Sequence, residues 1–258
     1  VTIDTAGAPS SRAVLVTGGS RGIGRATAHA FAAAGDRVAV HWGASRERAA
    51  RVLAELPGNG HVLVQADLAD ADEVGRMVDE AAAALGGLEV LVNNAGVFTA
   101  HPPLSVSYEE WQAAWSRTLA VNLLGAANAT FRAVPHLVAA GGGAVVNVSS
   151  RGAFRGEPDT PAYGASKAGL NAFGQSMAIA LAPHGISVGT VAPGFVQTEM
   201  AREVLDGPGG DAVRAQSPYG RVARPEEVAS AVLWLASPGA RFSTGTIIDV
   251  NGASYLRS

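Results

Sequence analysis

Short apolar runs punctuate the chain at regular spacing, at 13–16, 38–40, 62–64, 90–92, 144–148, 186–191 and 246–250. Each run is continuous rather than alternating. A strand reads this way when helices cover both faces of its sheet. Between the runs lie longer amphipathic or alanine-rich stretches, at 24–34, 46–55, 72–85, 108–140, 163–182 and 225–235. Strand and helix patterns alternate from end to end, and right-handed crossovers turn such an alternation into one parallel sheet between two helical layers. The expected fold is α/β. It is a single doubly wound, Rossmann-type domain with a seven-stranded parallel sheet over 12–258, after a flexible segment at 1–11.

Two stretches break the rhythm. Segment 196–219 is far longer than the usual connection of about 4–6 residues, and it contains Gly207, Pro208, Gly209 and Gly210. It reads as an irregular loop near a substrate, though its tip at 206–211 suits a segment without a role equally well. Segment 99–107, with Pro102 and Pro103, is the second irregular stretch.

Composition narrows the function. A chain of 258 residues that is 48% hydrophobic has ample core for one domain of this type. Its net charge of −3 gives no electrostatic footprint for DNA or RNA. The absence of cysteine excludes disulfides and thiolate metal sites, and the 6 histidines are scattered without ligand spacing, so no metal is expected. No run approaches the ~20 apolar residues of a membrane span. Residues 1–11 lack the apolar core of a secretory signal. A soluble cytoplasmic protein is the expectation. One bias stands out: Lys167 is the single lysine, and every other basic side chain is arginine. A lysine kept in that background suits chemistry that needs an ammonium, or is a chance survivor.

The first predicted strand runs into Thr17-Gly18-Gly19-Ser20-Arg21-Gly22-Ile23-Gly24, and a helix pattern follows. A turn of this kind lets backbone N–H groups approach a pyrophosphate at a helix N-terminus. Between first strand and first helix, the glycine string reads as a dinucleotide cradle rather than a plain turn. The second strand ends Val40-His41-Trp42-Gly43-Ala44-Ser45-Arg46, without the carboxylate that usually accepts a ribose 2′-OH. Arg21 and Arg46 suit a 2′-phosphate, so NADP is favoured over NAD. The alternative is that both are ordinary solvated arginines.

Tyr163 and Lys167 lie four residues apart at the start of a predicted helix and share a face. A nearby ammonium favours phenolate, which would lower the tyrosine pKa toward neutrality and make it a usable acid–base. The fifth strand ends at Ser149-Ser150, where ligands of open parallel sheets bind, and this places Ser150 near a substrate oxygen unless it only caps a turn.

With these residues in hand, the chain resembles the single-domain branch of the short-chain dehydrogenase/reductase family over essentially its full length. The resemblance rests on TGGSRGIG from Thr17, Asn93-Asn94-Ala95-Gly96, Asn122 in Leu119-Ala-Val-Asn-Leu, Ser150, Tyr163-x-x-x-Lys167 and Pro193-Gly194. It implies Tyr163 as general acid–base, Lys167 on the nicotinamide ribose, Ser150 on the carbonyl and Asn122 holding a relay water. It also implies cofactor contacts from Gly18, Ser20, Arg21, Gly22, Ile23, Gly24, Asn94, Ala95, Gly96, Pro193, Gly194, Val191 and Thr198. Asp67 would meet the adenine, although its position also suits a helix cap. Within the family the likeness is strongest to 3-oxoacyl carrier-protein reductases. The implied substrate is a small carbonyl compound, with carrier-linked acyl groups among the candidates, in a pocket lined by Val97, Phe98, Arg151, Phe154 and Phe195. A homotetramer is implied, formed through the Tyr163 and Trp234 helices.

Two other readings stay in view. The extended branch, acting on nucleotide sugars, would need a larger C-terminal region than the residues after Val250. A non-catalytic dinucleotide-binding regulator would usually lack the tyrosine or the lysine.

Overall fold

The computed structural model describes residues 11–257, so the expected flexible segment at 1–11 lies almost wholly outside the described residues. The strands are β1 (Ala13–Val16), β2 (Arg37–Trp42), β3 (Val62–Gln65), β4 (Val90–Asn93), β5 (Gly143–Val148), β6 (Ile186–Pro193) and β7 (Ile247–Val250). They form one seven-stranded sheet in the order β3-β2-β1-β4-β5-β6-β7, and every pairing is parallel. The α/β expectation and the strand count therefore hold.

Alternation along each strand feeds two cores. Ala13, Leu15, Leu91 and Val145 face one layer, made by α3 (Ala71–Leu85), α5 (Gly125–Ala139) and α6 (Pro161–Leu181). Val14, Val16, Val92 and Val146 face the other, made by α1 (Gly22–Ala33), α2 (Arg46–Glu55) and α9 (Pro225–Leu235). Strands buried on both sides have no polar face to show, which explains their continuous apolar runs. Val191 belongs to the second core and is fully buried there, not on a ligand surface as the resemblance implied.

The chain winds outward from β1 to β3 and then crosses back to β4. This reversal leaves a crevice beyond the carboxyl ends of β1 and β4, the usual ligand position in such sheets.

Two expectations need correction. The stretch at 108–140 is not one regular helix. It is α4 (Tyr108–Leu119), a π-helical turn (Ala120–Leu124) and α5, with Asn122 inside the wide turn. Nothing in a hydrophobic period distinguishes one extra residue per turn, and such turns often mark functional positions. Segment 196–219 is not an irregular loop either, because it folds as α7 (Glu199–Asp206) and α8 (Gly210–Arg214). Its ends are pinned: Gln197 N–H donates to Ala223 O at 2.9 Å, and Ala223 N–H to Phe195 O at 3.0 Å. The Gly and Pro residues separate the two short helices. Among the described residues no helix is long and apolar enough to cross a membrane.

Candidate active site

The crevice opens into a cleft of about 1040 Å³. One end is the turn between β1 and α1. Gly18 adopts φ +65°, and a Cβ there would stand 2.9 Å from Ala95 Cα. A Cβ on Gly24 would lie 2.1 Å from the carbonyl oxygen of Gly18, so side chains are excluded by contact as well as by backbone angle. Neighbours hold this turn from two sides. Asn94 donates through Nδ2 to Thr17 O at 2.8 Å, and Thr17 Oγ1 accepts from the N–H of Asn94 at 2.9 Å and of Ala95 at 3.1 Å. On the other side the Gly18 N–H donates to His41 Nδ1 at 2.9 Å.

His41 was not foreseen as a site residue. Its ring is buried, and Nε2 lies 3.1 Å from Ala66 O. A backbone N–H on one ring nitrogen and a carbonyl on the other fix the neutral Nε2–H tautomer. Burial pushes its pKa below the ordinary value, which agrees with that assignment. The missed signal was a histidine where the second strand usually ends in an acid. Its value lay in its second ring nitrogen, not in its charge.

Side-chain caps are present at some helix starts and absent at others, among them α1, α6, α7 and α8. Ser45 caps α2, Asp70 caps α3 and Ser107 caps α4, each through a side-chain oxygen. The Arg21 side chain at the cap of α1 makes no such bond, which leaves the first N–H groups of α1 turned toward the cleft without a side-chain acceptor. Arg21 lines the cleft, as do Ser20, Gly22 and Ile23. Arg46 does not. It is exposed at the start of α2, and Arg48 is the residue of that helix that reaches the cleft. The correction follows from helical geometry, because two positions along α2 rotate a side chain by about 200°. Arg48 Nη1 lies 3.1 Å and Arg21 Nη1 3.6 Å from the same oxygen of Glu199, at the start of α7. Asp67 lies at the rim, but both its oxygens take hydrogen bonds from Arg117 Nη1, at 3.0 and 2.9 Å. That contact holds its carboxyl below the usual range.

The other end of the cleft gathers Ser150, Tyr163 and Lys167. Ser150 follows β5 and accepts from the Gly152 N–H at 3.0 Å. Tyr163 and Lys167 sit in the first turns of α6, whose start is fixed by His101, another residue the sequence reading did not single out. The Ala162 N–H donates to His101 Nε2 at 3.2 Å, while Nδ1 lies 2.7 Å from Thr99 O. Segment 99–107 is irregular as expected, yet it braces the tyrosine. Lys167 is buried and donates through Nζ to Val148 O at 2.8 Å, with the tyrosine ring centroid 5.8 Å away. Burial lowers its pKa to about 8.

The expected electrostatics of the tyrosine are reversed. Burial raises the Tyr163 pKa, the Ser150 hydroxyl opposes that rise, and the Glu157 carboxylate adds to it. The cost of desolvating the phenolate therefore sets the direction of the shift.

Asn122 stands behind this end rather than on the cleft surface. Its Oδ1 accepts from the Val97 N–H at 2.8 Å, and its Nδ2 donates to Val97 O at 3.0 Å and Ser166 Oγ at 3.2 Å. A Cβ on Gly96 would stand 3.3 Å from Asn122 Oδ1 and 3.6 Å from Lys167 Nζ, so the two side chains converge beneath Gly96. Asn94, Ala95, Gly96, Pro193, Gly194 and Thr198 complete the cleft between its ends. Of the expected pocket residues, Val97, Phe98, Arg151 and Phe195 line it, and the Phe98 ring meets Tyr163 edge-on at 4.9 Å. Phe154 does not, because it packs under Arg257 at 4.4 Å. Among the described residues no group of three or more His, Cys, Asp or Glu could hold a metal.

A family model described as enoyl-(acyl carrier protein) reductase matches residues 18–253. The 3-oxoacyl-acyl-carrier-protein reductase FabG of Staphylococcus aureus is 37% identical over 95% of this chain and 99% of its own. A short chain dehydrogenase from Burkholderia cenocepacia J2315, solved in complex with NADP, superposes with a TM-score of 0.85 at 36% identity, over 94% of this chain and 97% of that one. The chain belongs to the short-chain dehydrogenase/reductase family. It is also 40% identical to the cis-4-hydroxycyclohexanecarboxylate dehydrogenase of Sinomonas cyclohexanicum, over 94% of this chain and 96% of that protein. The Staphylococcus and Sinomonas relatives are named for reduction of an oxo group and oxidation of a hydroxy group. The family assignment makes this chain an oxidoreductase and agrees with the likeness to 3-oxoacyl carrier-protein reductases read from its motifs.

Proposed function

We propose that this protein is an NADP(H)-dependent oxidoreductase that interconverts a ketone and a secondary alcohol, with Tyr163 as its general acid–base. The observation that carries the reading is one cleft with a glycine cradle at one end and Ser150, Tyr163 and Lys167 at the other. The cradle suits a dinucleotide, since Gly18 and Gly24 lack the Cβ atoms that would collide with Ala95 and with the Gly18 carbonyl, and so let the turn close tightly onto the N-terminus of α1. The residues after β2 offer no carboxylate to a 2′-OH, while Arg21 and Arg48 offer guanidiniums to a 2′-phosphate. The NADP complex of the Burkholderia relative supports the same choice.

When bound, NADPH supplies the hydride. Lys167 holds the ribose, and Ser150 hydrogen-bonds the substrate oxygen. Tyr163 gives its proton to that oxygen as charge develops there. A phenol whose pKa is raised by burial is fully protonated at neutral pH, which suits a donor in the reducing direction. In this reading Asn122 keeps the Val97 backbone in place and holds the water that returns protons to the site. The main alternative, a cofactor-binding regulator, has no use for a half-buried tyrosine and a buried lysine on one helix face.

The test is NADPH oxidation against a panel of 3-oxoacyl thioesters, oxo acids, quinones and simple ketones. Oxidation with at least one ketone is expected, and NADPH binding without turnover on any would overturn the reading. A homotetramer is proposed alongside. Exposed Ile179 on α6, Phe131 on α5 and Trp234 on α9 give apolar surface for it, and native mass measurement tests it.

A further inference from the structure

Among the described residues two cations are buried, Lys167 and Arg151, with 3% and 4% of their surface exposed. The proposed mechanism uses Lys167. It leaves Arg151, the residue next to Ser150, without a task.

A buried guanidinium is costly unless an anion or a full set of acceptors compensates it. Arg151 has neither. Its Nη1 donates to Gln216 Oε1 at 2.9 Å and Ser254 Oγ at 2.8 Å, both neutral. The Phe195 ring lies under it at 5.3 Å. Glu157 acts on it through space, but among the described residues no carboxylate forms an ion pair with it, and Arg155 adds a second positive charge nearby. Arginine has five donors, so the Nε and Nη2 hydrogens remain unused. Neither nitrogen is sealed in the core. Arg151 and Phe195 line both the catalytic cleft and a smaller cavity of about 200 Å³ behind it, where Ser217, Asn251 and Ser254 also meet. The acids of that cavity are already matched: Glu227 pairs with Arg221 at 2.7 Å and Asp249 with Arg257 at 2.8 Å.

We propose that Arg151 is a substrate-binding residue and that the substrate is an oxo acid, or the matching hydroxy acid, whose carboxylate lies on the free edge of its guanidinium. The inference rests on the ketone-reducing reading above and narrows it to a substrate class. Arg151 and Ser150 line the same cleft, so one small molecule can present an anion to the guanidinium and a carbonyl to Ser150. A carrier's phosphopantetheine arm puts its phosphate much farther from the reacting carbon. Two parallel N–H···O bonds to a carboxylate would use the vacant donors in the planar geometry a guanidinium favours.

The test compares levulinate and oxocyclohexanecarboxylate with their methyl esters in NADPH-dependent reduction by the wild-type protein. We expect kcat/KM to favour the acids by about 30-fold or more, chiefly through KM. The acid-to-ester ratio should fall toward one in Arg151→Met, with partial recovery in Arg151→Lys or on adding guanidinium. NADPH fluorescence shows whether each variant has folded and kept its cofactor site. Equal use of acid and ester by the wild type would overturn the proposal, and that comparison needs no variant. So would reduction of acetoacetyl phosphopantetheine in preference to the oxo acids, with the preference lost in Arg151→Met, since the anion would then be the phosphate. Failure to reduce any ketone would refute the broader reading instead.

Discussion

The two ends of the cleft carry their positive charge in opposite ways. At the end with the glycine turn, the proposed dinucleotide end, Arg21 and Arg48 are partly exposed, with 50% and 38% of their side-chain surface open, and both lean on one carboxylate, Glu199. At the end with Ser150 and Tyr163, the proposed reacting end, Lys167 and Arg151 are buried and form no ion pair among the described residues, their hydrogen bonds going to neutral acceptors. Exposed charges are screened by water and salt, so each contributes modestly and tolerates loss. Buried charges interact strongly, and their pKa values move. One end is therefore suited to choosing between cofactors by increments, and the other to chemistry in which a single group decides the outcome.

The sharpest way to break this comparison is at Tyr163. Tyr163→Phe removes one hydroxyl and keeps the ring packing on Phe98. Turnover should fall about 10³-fold, within the range for loss of a general acid, while NADPH affinity changes little. Steady-state rates and fluorescence titration check both halves. Retained turnover would remove the tyrosine from the chemistry. At the opposite end, Arg21→Ala combined with Arg48→Ala should weaken NADPH about 10- to 100-fold, the scale of lost charge-assisted hydrogen bonds. NADH should be nearly unaffected. Equal losses for the two cofactors would mean that these arginines act on the shared pyrophosphate and not on a 2′-phosphate.

How much of this was readable beforehand differs between the ends for the same physical reason. The sheet was legible because strands buried on both faces must be apolar throughout. The proposed reacting residues were legible because Tyr163 and Lys167 are fixed by one helical turn, a local relation that spacing encodes. The tyrosine pKa was not, because burial depends on what the whole fold packs around α6. At the dinucleotide end the glycines were legible from their spacing, but the choice between Arg46 and Arg48 was not. It depends on where α2 begins and how that helix is rotated, and a shift of two residues turns a side chain to the other face. His41 and His101 escaped notice because each works through a neutral ring nitrogen that accepts from a backbone N–H distant in sequence.

His41 gives the comparison a pH test. Its folded pKa lies below its ordinary value of 6.5. Below that value the unfolded chain takes up a proton that the folded ring resists. The stability contributed by His41 is thus present above pH 6.5 and is lost as pH falls toward the depressed native pKa. Protonation would also set an Nδ1–H against the Gly18 N–H and loosen the cradle. His41→Leu should cost about 1–2 kcal/mol at neutral pH, because the Gly18 N–H loses its acceptor. The variant should also lack the steeper acid limb of wild-type Tm. Melting curves at a series of pH values give both results, and parallel limbs would show that His41 does not titrate there.

The smallest expected effect falls on Glu199. Its carboxylate meets the two guanidiniums that the proposed 2′-phosphate would use. Two consequences pull against each other. The carboxylate competes with the phosphate for the same cations, which weakens NADPH binding. It also holds long, flexible arginine side chains in place, which lowers the entropy lost when they bind. Exposed pairs contribute about 0.2–1 kcal/mol, so the orienting benefit is small, whereas a carboxylate left beside a bound phosphate repels it directly. Competition should therefore win: Glu199→Gln is expected to tighten NADPH about two- to fivefold and leave NADH unchanged. Dissociation constants for both cofactors at low and moderate salt decide the matter, with the gain shrinking as salt rises. Weaker NADPH binding in that variant would mean that orientation outweighs repulsion even at an exposed site.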